Sequence, residues 1–183
     1  MGGSLNQEEI NDLKNEVSPY STITNFVETG TYKAETTILA SKNFEKVFTI
    51  EIHEPLYTFS KKKCQDEGIN NISFYLGDSL SELINIVPQV INGAVFFIDA
   101  HASGIDTSWN NYISVPLLEE LDIILNYKIG PSVFIFDDVR LWKNMIFDWT
   151  HITNDIILNS FKKNNYQVYN SYEKNDRFFV FTI

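Results

Sequence analysis

The chain has 183 residues, 44% of them hydrophobic, with 24 acidic against 14 basic residues and a formal charge of −10. That surplus repels phosphate backbones and anionic lipid surfaces, which sets nucleic acid and membrane aside as general partners, and the length suits one well-buried core spanning residues 1–183. The lone Cys64 can build neither an internal disulfide nor a zinc cluster, and no apolar run reaches the roughly 20 residues that span a bilayer, so a soluble, cytoplasmic protein is expected.

Residues 1–18 read as an N-terminal extension in which Leu5 to Val17 has amphipathic helical spacing, with Ser4 and Gln7 placed as a capping box. A β-rich run, ITNFVETG, follows and leads into the helical stretch KAETTILASK. KVFTIEIH is a second run, followed by EPLYTFSKKKCQDEG, and NISFYLGDS a weaker third, followed by SLSELINIV. AVFFIDAH and SVFIFDDV are the fourth and fifth, separated by the loop ASGIDTSWNNYISVP and a helical stretch ending in LLEELDIILNYK. Near-continuous apolar strands suit a sheet covered on both faces, and strands alternating with helices predict a three-layer, doubly wound, Rossmann-like α/β domain. After the helical HITNDIILNSFKKN, the runs YQVYNSY and RFFVFTI are parted only by EKND. So short a connection predicts an antiparallel hairpin at the end of an otherwise parallel sheet.

The strand endings carry the chemistry. In an open parallel sheet, ligands bind outside the carboxyl ends of the strands, near the switch in strand order. The first turn, Glu28, Thr29, Gly30, Thr31 and Tyr32, gives backbone N–H groups close approach to a ligand but is not a G-x-G-x-x-G, which disfavours a dinucleotide. Glu51, 21 residues after Gly30, is spaced to accept hydrogen bonds from ribose hydroxyls. Asp78 is placed to meet an adenine amino group and Ser79 to start the next helix.

In order and spacing these residues resemble the class I S-adenosylmethionine-dependent methyltransferases. That resemblance implies a seven-stranded sheet with the last strand inserted antiparallel, and a cofactor, S-adenosylmethionine, held by Glu28, Thr29, Gly30, Thr31, Tyr32, Glu51, Asp78, Ser79 and Asp99. Asp99 ends the fourth run, and Asp137 and Asp138 end the fifth. Three crowded carboxylates call for a positive partner, and a hard divalent cation such as Mg²⁺ answers. The arrangement is similar to the metal-dependent O-methyltransferases of the catechol and macrocin types, which implies Asp99, Asp137 and Asp138 as metal ligands. It also implies catalytic roles for Asp99 and for His101, the latter as general base. Arg140 offers another way to balance Asp138 without metal. Trp109 and Tyr112 in the long loop, with Trp142 and Trp149 after the fifth run, could wall the site or serve as core or dimer contacts. The expected activity is O-methylation of a small molecule or sugar, the acceptor being recognised by loops, the N-terminal helix or a second copy in a homodimer. The competing readings are a metal-independent methyltransferase, a nucleotide-binding α/β domain of glycosyltransferase or reductase type, and a non-catalytic binding module.

Overall fold

The structure is a computed structural model that describes residues 3–15, 19–101, 115–142 and 147–183. In chain order it runs α1 (Gln7–Asn15), β1 (Asn25–Thr29), α2 (Glu35–Ser41), β2 (Lys46–Glu51), α3 (Glu54–Asp66), β3 (Ile72–Leu76) and α4 (Ser79–Ile86). It continues with β4 (Val95–Ile98), α5 (Leu117–Leu125), β5 (Ser132–Phe136), α6 (Val139–Trp142), α7 (Asn154–Lys163), β6 (Val168–Lys174) and β7 (Arg177–Thr182). The seven strands form one sheet in the order β3-β2-β1-β4-β5-β7-β6. The first five are mutually parallel, and β7 runs antiparallel to both β5 and β6. The expected architecture is therefore present, hairpin included.

Every residue of β4 (VFFI), β5 (SVFIF) and β7 (RFFVFT) is buried, because helices cover both sheet faces. The two-residue period of a strand splits neighbours between two cores. Phe96, Phe134 and Phe136 pack with Leu83, Leu121 and Phe161 on one face, and Phe97, Ile135 and Phe179 pack with Ile10, Leu13 and Ala40 on the other. Among the described residues no helix is long and apolar enough to cross a membrane.

Two local expectations are corrected and a third is met. The capping box of α1 is not Ser4 with Gln7 but Asn6 with Glu9: Glu9 N–H donates to Asn6 Oδ1 and Asn6 N–H to Glu9 Oε2, each at 3.0 Å. Ser4 instead donates to Glu35 at 2.8 Å, fastening the N-terminal segment to α2. The hairpin turn is not EKND but Asn175 and Asp176 alone, since Glu173 and Lys174 belong to the β6–β7 ladder. Both turn residues have positive φ, 52° and 66°, the mirror-image turn whose twist matches paired strands and which Asn and Asp tolerate. At α4, Ser79 starts the helix as expected, and the residue before it, Asp78, is the cap, its Oδ1 accepting from Leu80 N–H at 3.0 Å.

Candidate active site

The strand order reverses between β1 and β4, whose ends lie side by side with Thr29 opposite Ile98. Here the loop after β1 packs on the end of β4. Gly30 has φ +86°, and a Cβ on it would sit 2.8 Å from the carbonyl oxygen of Asp99, so both conformation and space demand glycine. Gly30 and Thr31 both donate their N–H to Ile50 O at 3.0 Å. The remaining turn is made without further glycines, by Tyr32 at φ 46° and Ala34 at φ 61°. That conformation delivers Tyr32 N–H to Glu51 Oε2 at 2.8 Å, while His53 N–H meets Oε1 at 2.9 Å. Glu51 is thereby fixed by two backbone donors at the end of β2, as a ribose-binding carboxylate would need to be.

Glu28 is placed otherwise. It faces α2, buried, and accepts from Thr37 Oγ1 at 2.5 Å and Thr49 Oγ1 at 2.7 Å, with Thr31 and Thr49 hydroxyls 2.6 Å apart. Burial pushes its carboxyl up to about 7 against the pull of those hydroxyls. Its carboxylate braces the loop from beneath rather than facing the cleft. The ring of Tyr32, by contrast, is exposed.

The structure brings Asp99, His101 and Asp138 together. His101 Nε2 lies 2.8 Å from Asp138 Oδ2 and Nδ1 lies 3.5 Å from Asp99 Oδ1, and Trp149 stands edge-on to the imidazole with centroids 5.1 Å apart. Burial first, then the nearby Asp137 and Asp138, holds the Asp99 carboxyl well above its usual range. Asp138 goes the other way: burial pushes it up, but His101 and Arg140 outweigh that and lower it. Arg140 pairs with Asp138 and also with Asp176 in the hairpin turn.

Asp137 stands apart from this group. Its Oδ1 pairs with Arg177 Nε at 3.0 Å, both side chains being buried, and burial raises its carboxyl to about 6 despite that guanidinium. Arg177 also donates to Glu9 Oε1 at 2.6 Å, so α1, β7 and the end of β5 share one buried ion-pair network. Trp142 and Trp149 are both buried in the core, and Trp109 and Tyr112 lie outside the described residues. Cys64 is buried and His151 exposed.

Sequence reasoning missed Glu9, Arg177 and Glu120. Glu120 is fully buried in α5, its Oε2 accepting from Thr29 Oγ1 at 3.3 Å, and burial raises its carboxyl to about 8. A signal existed for two of them. Leu117, Glu120, Leu121 and Ile124 fall on one helical stripe, and Arg177 opens a run that is otherwise apolar, so each charge interrupts a buried pattern.

Burial of Glu28 and Glu120 predicts a pH dependence. In the unfolded chain each loses its proton near 4.5, and in the fold only near 7 and 8 respectively. The fold thus binds extra protons between those values, so stability falls as pH rises through that window, and the loss is absent below 4.5. Urea unfolding of the protein and of Glu28→Gln/Glu120→Gln at about pH 5 and about pH 8 checks this; the double variant should lose less stability between the two.

No family model matches the chain, and no curated protein matches it significantly. Solved structures do match. A Staphylococcus aureus protein provisionally named a caffeoyl-CoA O-methyltransferase superposes with a TM-score of 0.61 at 16% identity, over 99% of this chain and 85% of that one. A SAM-dependent methyltransferase from Aquifex aeolicus gives 0.56 at 13% identity, over 98% of each chain. An rRNA methylase from Streptococcus thermophilus gives 0.54 at 15%, over 96% of this chain and 93% of that one. Identities so low speak to architecture, and on that ground the chain has the class I S-adenosylmethionine-dependent methyltransferase fold.

Proposed function

We propose that the chain transfers a methyl group from S-adenosylmethionine to an oxygen of a small molecule or sugar. The observation that carries this reading is the His101 imidazole held between Asp99 and Asp138 beside the Gly30 turn, at the switch in strand order. A cofactor laid along the ends of β1, β2 and β3 would meet the Gly30–Tyr32 turn, Glu51 and Asp78. Asp138, at 2.8 Å, orients the ring through Nε2 and stabilises the imidazolium, leaving Nδ1 to take the acceptor's proton. The acceptor oxygen then forms its bond to the methyl carbon as the carbon–sulfur bond breaks and the electron pair leaves with a neutral thioether.

Asp99, His101 and Asp138 each offer a ligand atom, all within 4.8 Å of one another, and Asp99 carries no guanidinium of its own among the described residues. Two carboxylates and an imidazole suit a divalent cation, Mn²⁺ at least as well as Mg²⁺. On this reading His101, and not the Asp137 that the resemblance implied, would join Asp99 and Asp138 as a ligand. A cation there would take up the imidazole lone pair, so it would replace His101 as the group that activates the acceptor and supply Lewis-acid polarisation of its hydroxyl instead.

Calorimetry with S-adenosylhomocysteine and an assay of its formation, with and without EDTA, test the reading. Micromolar binding is expected, together with at least a roughly tenfold loss of turnover in EDTA that Mn²⁺ or Mg²⁺ restores. Turnover unchanged by EDTA would remove the cation and leave the His101–Asp138 pair to act alone; absence of heat with S-adenosylhomocysteine would end the methyltransferase reading.

A further inference from the structure

We propose that Glu120 is a positioning residue that ties three separate segments of the cleft into one unit: the end of β1, the end of β4 and the start of α4. The inference deepens the cofactor-site reading above and rests on it for the identity of the cleft. Its basis is a set of contacts that sequence distance makes non-local. Thr29 Oγ1 lies 3.3 Å from Glu120 Oε2 across 91 residues of chain. The same hydroxyl accepts the N–H of Asp99 at 3.2 Å and of Ala100 at 3.3 Å. Ser79, buried at the head of α4, lies beside Glu120 and holds its carboxyl down against the upward push of burial.

The valences explain why a carboxyl is needed. A threonine hydroxyl has one proton and two acceptor sites. With both acceptor sites taken by Asp99 and Ala100, its proton must go to an acceptor on the α5 side, and Glu120 is the group there. Without that acceptor the hydroxyl is free to rotate, and the two amides at the end of β4 lose their fixed partner. Glu120 Oε1 is buried with no hydrogen-bond partner among the described residues, and burial favours the protonated acid. A leucine at this point of the apolar stripe would avoid that burial cost. The carboxyl costs stability and supplies the junction. On the cofactor reading, Thr29 and Gly30 belong to the methionine side of the cleft, Asp78 and Ser79 to the adenine side, and Asp99 to the reacting centre. Glu120 holds all three in register from behind, touching no ligand itself.

Amide hydrogen exchange reads this without any ligand. In Glu120→Ala, exchange at Asp99, Ala100 and the first turn of α4 should rise together by about tenfold or more, while the amides of β5 keep their protection. Glu120→Gln, which retains the acceptor and replaces a neutral acid by a neutral amide, should stay within about threefold of the parent. Thr29→Val removes the same tie from its other end and should reproduce the rise at Asp99 and Ala100 even if Glu120→Ala folds poorly. A second readout is affinity: Glu120→Ala should weaken S-adenosylhomocysteine by about tenfold but adenosine by less than about threefold, since only the longer ligand needs both walls in register. Unchanged exchange at these amides, or a rise spread evenly through β5, would overturn the proposal. Failure of the parent protein to bind S-adenosylhomocysteine would defeat the cofactor reading, while the exchange data would still decide the tie.

Discussion

Arg177→Met is expected to destabilise the protein by about 3–5 kcal/mol, the cost of stranding buried charges when one partner of an ion pair is removed. Arg177 is buried between Glu9 and Asp137, at 2.6 and 3.0 Å, and also donates to Gly3 O. The substitution keeps most of the side-chain volume over the Phe97 ring, where the guanidinium lies 5.8 Å from the centroid, and so removes charge more than packing. For a domain of this size the midpoint of thermal unfolding should fall by on the order of 10 °C. Two routes of relief are open to the stranded acids, protonation and exposure, and the second would detach α1 from the sheet. Adding Glu9→Gln and Asp137→Asn should therefore restore much of the loss, because no buried charge then remains unpaired. Urea unfolding of the single and triple variants measures both. A single variant within about 1 kcal/mol of the parent would mean that the network is not the clamp the geometry implies.

His101→Ala is expected to lower the rate of methyl transfer by about 10²–10⁴-fold, the usual contribution of a positioned acid–base group. Asp138→Asn should reproduce much of that loss, since the imidazole would keep its place but lose the carboxylate 2.8 Å from Nε2 that orients it. Neither residue belongs to the Gly30–Tyr32 turn or touches Glu51, so S-adenosylhomocysteine affinity should stay within about threefold in both variants. Formation of S-adenosylhomocysteine with phenolic and sugar hydroxyl acceptors, alongside calorimetry, separates the two effects. Parent-like turnover in His101→Ala would remove the imidazole from the mechanism.

How much of this was legible beforehand differs between strands and charges. FVET, VFTIE, VFFI and VFIF announce buried parallel strands because each places apolar residues on both faces, and the brevity of the link between YQVYNSY and RFFVFT allows only a hairpin. From that alternation follows the edge at which Gly30, Glu51, Asp78, Asp99 and Asp138 gather. The local differences are of two residues each: the capping box falls at Asn6–Glu9 and not at Ser4–Gln7, and the turn is Asn175–Asp176 and not all four of EKND. Several polar residues in a row can each satisfy the same local rule, and only the backbone dihedrals choose among them.

The carboxylates were legible one by one, but not their partners. Asp137 and Asp138 are adjacent in sequence and looked like one pair, yet Asp138 turns to His101 and Arg140 and Asp137 to Arg177. Asp138 takes φ 59° at this point, which helps send the two side chains apart. Glu28 lies one residue before the end of β1, but its carboxyl is spent on Thr37 and Thr49 beneath the loop.

By itself, then, the sequence determined the layer order, the parallel sheet with its antiparallel end, and the edge that carries the acidic residues, because hydrophobic periodicity and loop length are local and translate directly into which faces are buried and which strands pair. Only the tertiary structure decided which charge meets which. Glu9 reaches Arg177 across 168 residues and Thr29 reaches Glu120 across 91, and the distances that set an ion pair or a carboxyl's proton affinity exist only once the chain has closed on itself.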